Sequence, residues 1–108
     1  MNSAEIEKFA DSMVSFLKKE APEAVEKASD GEIHEFAARC VRRAAPYGID
    51  EVYLLEQFVL FSAWLGEDFD TSERTPWSAA ILRDKSLSAD DRMSKIEDYI
   101  MTQWEGAK

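Results

Sequence analysis

Val52-Tyr53-Leu54-Leu55-Glu56-Gln57-Phe58-Val59-Leu60-Phe61-Ser62-Ala63-Trp64-Leu65 is the segment on which the fold turns. Wound at about 100° per residue, its apolar side chains surround most of a helix rather than forming one stripe. A helix that is apolar on nearly every side is stable in water only when neighbours cover it on several sides. This segment is therefore read as the buried centre of a helical array. Asp50 precedes it as a candidate cap, and Gly66 follows it, free to take the turn that closes a helix.

On the N-terminal side, Ile33, Phe36, Ala37, Cys40, Val41 and Ala44 repeat at helical spacing, while Glu35, Arg39, Arg42 and Arg43 fall largely away from that stripe. Ser29-Asp30-Gly31-Glu32 has the form of a capping box at its start, and Pro46-Tyr47-Gly48 ends it. Further upstream, Ile6, Phe9, Ala10, Met13, Val14, Phe16 and Leu17 line another helix, capped by Asn2 or Ser3 and broken before Pro22. Pro22 can open a short turn of its own running to Lys27.

On the C-terminal side, Glu67 to Arg74 has no apolar period and reads as a loop, with Phe69 turned back onto the core. Thr75 and Pro76 then fit the cap and first position of a short helix carrying Trp77, Ala80 and Ile81 to about Asp84. Ser88-Ala89-Asp90-Asp91 opens a last helix with Met93, Ile96, Ile100 and Trp104 on one face, and the tail after Glu105 is expected to fray. The expectation is a single all-α domain over residues 1–108: a compact array of about five helices around a buried central one, with no sheet.

Acidic residues outnumber basic ones, 22 to 13, for a net charge of −9. That field repels phosphate backbones and anionic lipid, so neither nucleic acid nor a membrane surface is an expected partner. A basic or mixed-charge protein surface suits it better. The lone Cys40 has no partner for an internal disulfide, which suits a reducing compartment. The opening residues lack the basic start and apolar run of an export signal, and no apolar run approaches the roughly 20 residues of a membrane span. The cytoplasm is the expected location.

Catalytic and cofactor chemistry finds little to work with. His34 and Cys40, six residues apart on one helix, point about 120° away from each other, a poor geometry for a base and nucleophile. One His and one Cys are too few for a zinc site. Asp68, Asp70 and Ser72 imitate the start of a calcium loop, but Glu73 stands where that loop needs glycine and Ala79 where it needs a bidentate glutamate. A solvated acidic loop is the simpler account. Asp90 and Asp91 lie in a first helical turn, where negative charge complements the helix dipole. No catalytic, metal or cofactor residue is assigned, and a small metal-binding or enzymatic helical domain is kept only as the rival class. Trp77, Tyr99 and Trp104 either pack inward or, with Glu67, Asp68, Asp70 and Glu73, form an acidic and aromatic surface for a protein partner.

Tyr47-Gly48-Ile49, Glu51-Val52, Gly66-Glu67-Asp68-Phe69-Asp70, Pro76-Trp77-Ser78, Ile81-Leu82, Asp84, Leu87-Ser88 and Arg92-Met93, in that order, resemble a family of small bacterial proteins. The family is encoded among the toxin, spike and tip-protein genes of type VI secretion clusters. Phe16-Leu17 and Ala21-Pro22 in the first half resemble it more loosely, and Ile49-Asp50 and Leu65 depart from its more usual polar and aromatic residues. The resemblance implies an accessory role toward a secreted toxin. The chain would be a cytosolic adaptor or co-chaperone binding the toxin or its spike, tip or adaptor protein, or an immunity protein that masks the toxin. Oligomeric state is left open, because no coiled-coil seam is present.

Overall fold

The structure is a computed structural model that describes residues 2–102. Six α-helices and one 3₁₀ turn make up the described residues, with no strand among them: α1 (Ser3–Glu20), α2 (Pro22–Val25), α3 (Asp30–Ala44), the 3₁₀ turn (Ala45–Tyr47), α4 (Val52–Leu65), α5 (Pro76–Leu82) and α6 (Ala89–Thr102). The all-α array is as expected. It has six helices rather than about five because Pro22 starts a complete short helix of its own.

Local chemistry accounts for most of the boundaries. Asn2 and Ser29 each accept from the amide three residues on, and Glu5 and Glu32 return the bond, so α1 and α3 both begin with capping boxes. Ala44 leads into the 3₁₀ turn, and Gly48 finishes it at φ 73°, in the left-handed region. Two expected caps are not made. The N-cap position of α4 is Glu51 rather than Asp50, with no side-chain cap bond. Thr75 precedes α5 without capping it, because its hydroxyl is drawn inward to the Phe69 carbonyl at 2.8 Å. That inward bond is worth more here, since Thr75 is buried and an unpaired hydroxyl in the interior is costly.

α4 packs against α1, α2, α3 and α6. Leu54, Leu55, Phe58, Val59, Phe61, Ser62 and Leu65 are its buried residues, and Phe58 also meets the ring of Phe69 at 5.2 Å between centroids. α1 and α3 lie against each other along their apolar stripes, burying Phe9, Ala10, Met13 and Leu17 against Ile33, Ala37, Cys40, Val41 and Ala44. α6 supplies Met93, Ile96 and Ile100. In α5 the inward residues are Ser78 and Leu82; Ala80, expected on the packed side, is exposed. No helix among the described residues is long and apolar enough to cross a membrane.

Candidate functional site

The loop after α4 is built from its backbone outward. Gly66 closes α4 at φ 119°, a conformation that disfavours any side chain. The chain then doubles back so that Phe69 is completely buried. The Phe69 carbonyl accepts hydrogen bonds from the hydroxyls of both Thr75 and Ser78, which pins the start of α5 to the loop. Burying Phe69 carries Asp70 in beside it. Asp70 is 4% exposed, and its carboxylate accepts from Tyr47 Oη at 2.7 Å and pairs with the Arg43 guanidinium. Burial, reinforced by the Asp70 carboxylate, pushes the Tyr47 phenol up to about 12, so it remains a donor.

Three residues earlier, Glu67 takes both arms of Arg39, at 2.6 and 3.0 Å. The arginine holds the Glu67 carboxyl below its usual range. Arg39 and Arg43 stand one turn apart on α3, and Glu67 and Asp70 are the matching pair on the loop. The expected solvated acidic loop is therefore half neutralised: Glu67 and Asp70 are consumed by α3, and only Asp68 and Glu73 are exposed acids. Trp77 and Tyr99 are brought together as a stack, 4.0 Å between centroids and 17° between planes, joining α5 to α6 with both rings half-buried. Trp104 lies outside the described residues. Of the six candidate partner-binding residues that are described, Glu67 and Asp70 are held by α3, Trp77 and Tyr99 are stacked on each other, and Asp68 and Glu73 are exposed on the loop.

The two nucleophile or base candidates are also held. Cys40 is fully buried and burial pushes its thiol up to about 12, so it stays protonated. His34 Nε2 lies 2.6 Å from Glu7 and Nδ1 2.8 Å from Asp11, both on α1. The Glu7 hydrogen bond is the main cause that raises its pKa above 6.5, with Asp11 assisting against partial desolvation. Among the described residues, no group of three His, Cys, Asp or Glu side chains is placed to hold a metal ion. The chain matches no family model, no curated protein and no solved structure.

Tyr47, Arg39 and Arg43 are the functional partners that sequence reasoning missed. The available signal was the four-residue spacing of the two arginines, answered by two acids three residues apart in the loop. The residues that carry the family resemblance now have physical roles. Tyr47 bonds Asp70, Ser78 bonds the Phe69 carbonyl beside it, and, in a separate contact, Arg92 Nη1 donates to the Leu82 carbonyl at 2.7 Å. What remains for solvent is the opposite flank. Every ion pair among the described residues has one member on α3: Lys18–Asp30, His34 with Glu7 and Asp11, Arg39–Glu67 and Arg43–Asp70. The acids of α4 and α6 take part in none.

Proposed function

We propose that this chain is a non-catalytic accessory protein of the cytoplasm that acts by holding a protein partner. The partner class is the one the family resemblance implies: a type VI secretion effector or its spike, tip or adaptor protein, which the chain serves as adaptor or co-chaperone. The observation that carries the reading is the commitment of the two reactive side chains to the fold, Cys40 as a buried protonated thiol and His34 with both ring nitrogens against carboxylates. The buried Cys40 thiol lacks the access and the thiolate that nucleophilic attack needs, and His34 has both ring nitrogens engaged, which supports a role played by shape and negative potential.

The framework around Asp70 supports the same reading from another side. It accounts for Tyr47, Phe69, Asp70 and Ser78 as scaffold rather than as a reaction centre. Purification of the tagged chain from its native host tests the proposal. The expected result is stoichiometric recovery of one product of a toxin cluster. An adaptor binds the delivery region and is needed for loading, whereas an immunity protein binds the toxic domain and rescues cells that express it. Recovery of neither kind of product, with effector delivery unchanged when the chain is deleted, overturns the proposal.

A further inference from the structure

α4 is apolar nearly all round, yet its neighbours do not cover all of it. Its buried arc is Leu54, Leu55, Phe58, Val59, Phe61, Ser62 and Leu65. The remaining arc carries Val52, Tyr53, Glu56, Gln57, Leu60, Ala63 and Trp64, of which only Glu56 is charged. Val52 is 54% exposed and Tyr53 48%, and Leu60, Ala63 and Trp64 are partly exposed. α6 borders this arc and runs in the same direction, as the contacts of Tyr53 with Asp90 and of Gln57 with Glu97 show. One turn beyond Glu97 on the same face comes Met101, 56% exposed. Val52, Tyr53 and Met101 are the exposed large apolar residues among those described, and all three belong to these two helices.

The rim of this surface is predominantly acidic. Asp50, Glu51 and Glu56 lie at the start of α4, Asp90 and Glu97 on the facing side of α6, and none of them is in an ion pair. The basic residues nearby are Lys95 on α6 and Lys8 of α1, which flanks Val52. An apolar stripe in an acidic frame selects its complement: an amphipathic helix with an apolar stripe and lysine or arginine along its flanks. A second copy of this chain is disfavoured, because it would set one acidic rim against another.

We propose that the outer arc of α4, with the adjoining face of α6, is the docking surface for a basic amphipathic helical segment of the partner protein. This rests on the accessory-protein reading and locates the surface through which it works. Leu60 and Trp64, partly exposed and packed against the core on their inner sides, make the stripe continuous with the interior.

Titration of the full chain, followed by amide shifts in ¹H–¹⁵N spectra, tests the surface with two synthetic helical peptides. One has a leucine stripe flanked by lysines; the other has the same stripe flanked by glutamates. The basic peptide is expected to shift amides of residues 52–64 and 94–101. Its affinity should fall at least tenfold in the Glu56→Lys, Leu60→Glu double variant, and also in the milder Tyr53→Ala, Met101→Ser variant, whose two positions are about half exposed. The glutamate peptide is expected to leave these amides in place. Three results overturn the proposal: equal response to both peptides, shifts confined to the apolar groove between α2, α3 and α4 around Ala28, Ile33 and Phe36, or self-association of the chain through this face. Failure here is separable from failure of the accessory role. A double variant that still co-purifies with its effector removes the surface and leaves the role, whereas unchanged effector delivery without the chain removes the role.

Discussion

His34 can donate to Glu7 and Asp11 together only as the imidazolium, because a neutral ring offers one N–H and would turn a lone pair toward the second carboxylate. The raised pKa follows, and so does a sign for its linkage to folding. A histidine whose folded pKa lies above the unfolded value of 6.5 contributes stability that is fully present below 6.5 and lost as pH rises through the folded pKa. The groups facing the ring are Glu7 and Asp11 from α1; Asp30, one turn before it on α3, is occupied by Lys18. Ring proton shifts should therefore titrate above 6.5, and the melting temperature of the native chain should fall relative to His34→Gln between neutral and mildly alkaline pH. A constant difference across that range would remove the clasp. Asp70 behaves differently, since it is buried and its partner Arg43 is only one-third exposed. Asp70→Ala leaves a cation and the Tyr47 hydroxyl without their acceptor and should cost about 2–3 kcal/mol, the low end for breaking a buried pair because Arg43 can still reach water. Tyr47→Phe loses only one neutral donor and should cost about 1 kcal/mol. Urea denaturation measures both, and equal costs would contradict the charge assignment.

The central helix was legible because an apolar run of that length, closed by Gly66, has few stable alternatives to a covered helix. The capping box of α3 was legible for a similar reason, since both halves of its reciprocal bond lie within four residues; at α1 only the cap, Asn2 or Ser3, was read, and the returning bond from Glu5 was not. Asp50 was misread because α4 begins one residue later than its capping position requires, and Thr75 because a candidate cap competes with tertiary partners that local sequence does not display. The same blindness applied to Asp70, whose partners are 23 and 27 residues away. The uncovered arc of α4 was hidden for the opposite reason: an all-round apolar pattern carries no mark of which side lacks a neighbour. Mutation of α4 should reveal that arc. Phe58→Ala and Phe61→Ala, at fully buried positions, should each cost about 3–5 kcal/mol, whereas Val52→Ala should stay within about 0.5 kcal/mol by chemical denaturation. The two glycines that end elements also separate. Gly48 is left-handed with open space at its missing Cβ, so Gly48→Ala should cost about 1 kcal/mol. Gly66 has φ 119° and its Cβ would meet Arg74 at 3.3 Å and Asp68 at 3.4 Å, so Gly66→Ala should cost more than Gly48→Ala in the same assay.

Charge is unevenly distributed over the molecule, and that unevenness makes a prediction that net charge alone cannot. All the ion pairs among the described residues gather on α3, which uses its basic residues to tie down α1 and the loop after α4. Glu56 of α4 and the acids of α6 are left without a cation, a source of mild repulsion across the molecule. Glu67→Lys and Glu97→Lys change the net charge of −9 by the same two units. If only the total mattered, both would relieve repulsion and stabilise equally. The local geometry predicts otherwise. Glu67→Lys deletes a two-armed contact with Arg39 and sets a cation against it, which should cost about 1 kcal/mol after allowance for the exposure of both side chains. Glu97 gives up only a 3.4 Å contact from Gln57, and a lysine there sits in the last half of α6, where the helix dipole favours positive charge. Glu97→Lys should therefore melt at or slightly above the native temperature while Glu67→Lys melts several degrees below it, about 4–8 °C for each kcal/mol in a domain of this size. Raising the salt concentration should narrow the gap, since exposed pairs and exposed repulsions are both screened. A pair of variants with the same melting temperature at low salt would mean that the acids of α6 are no less engaged than Glu67, and the contrast between a tied flank and an open one would go with it.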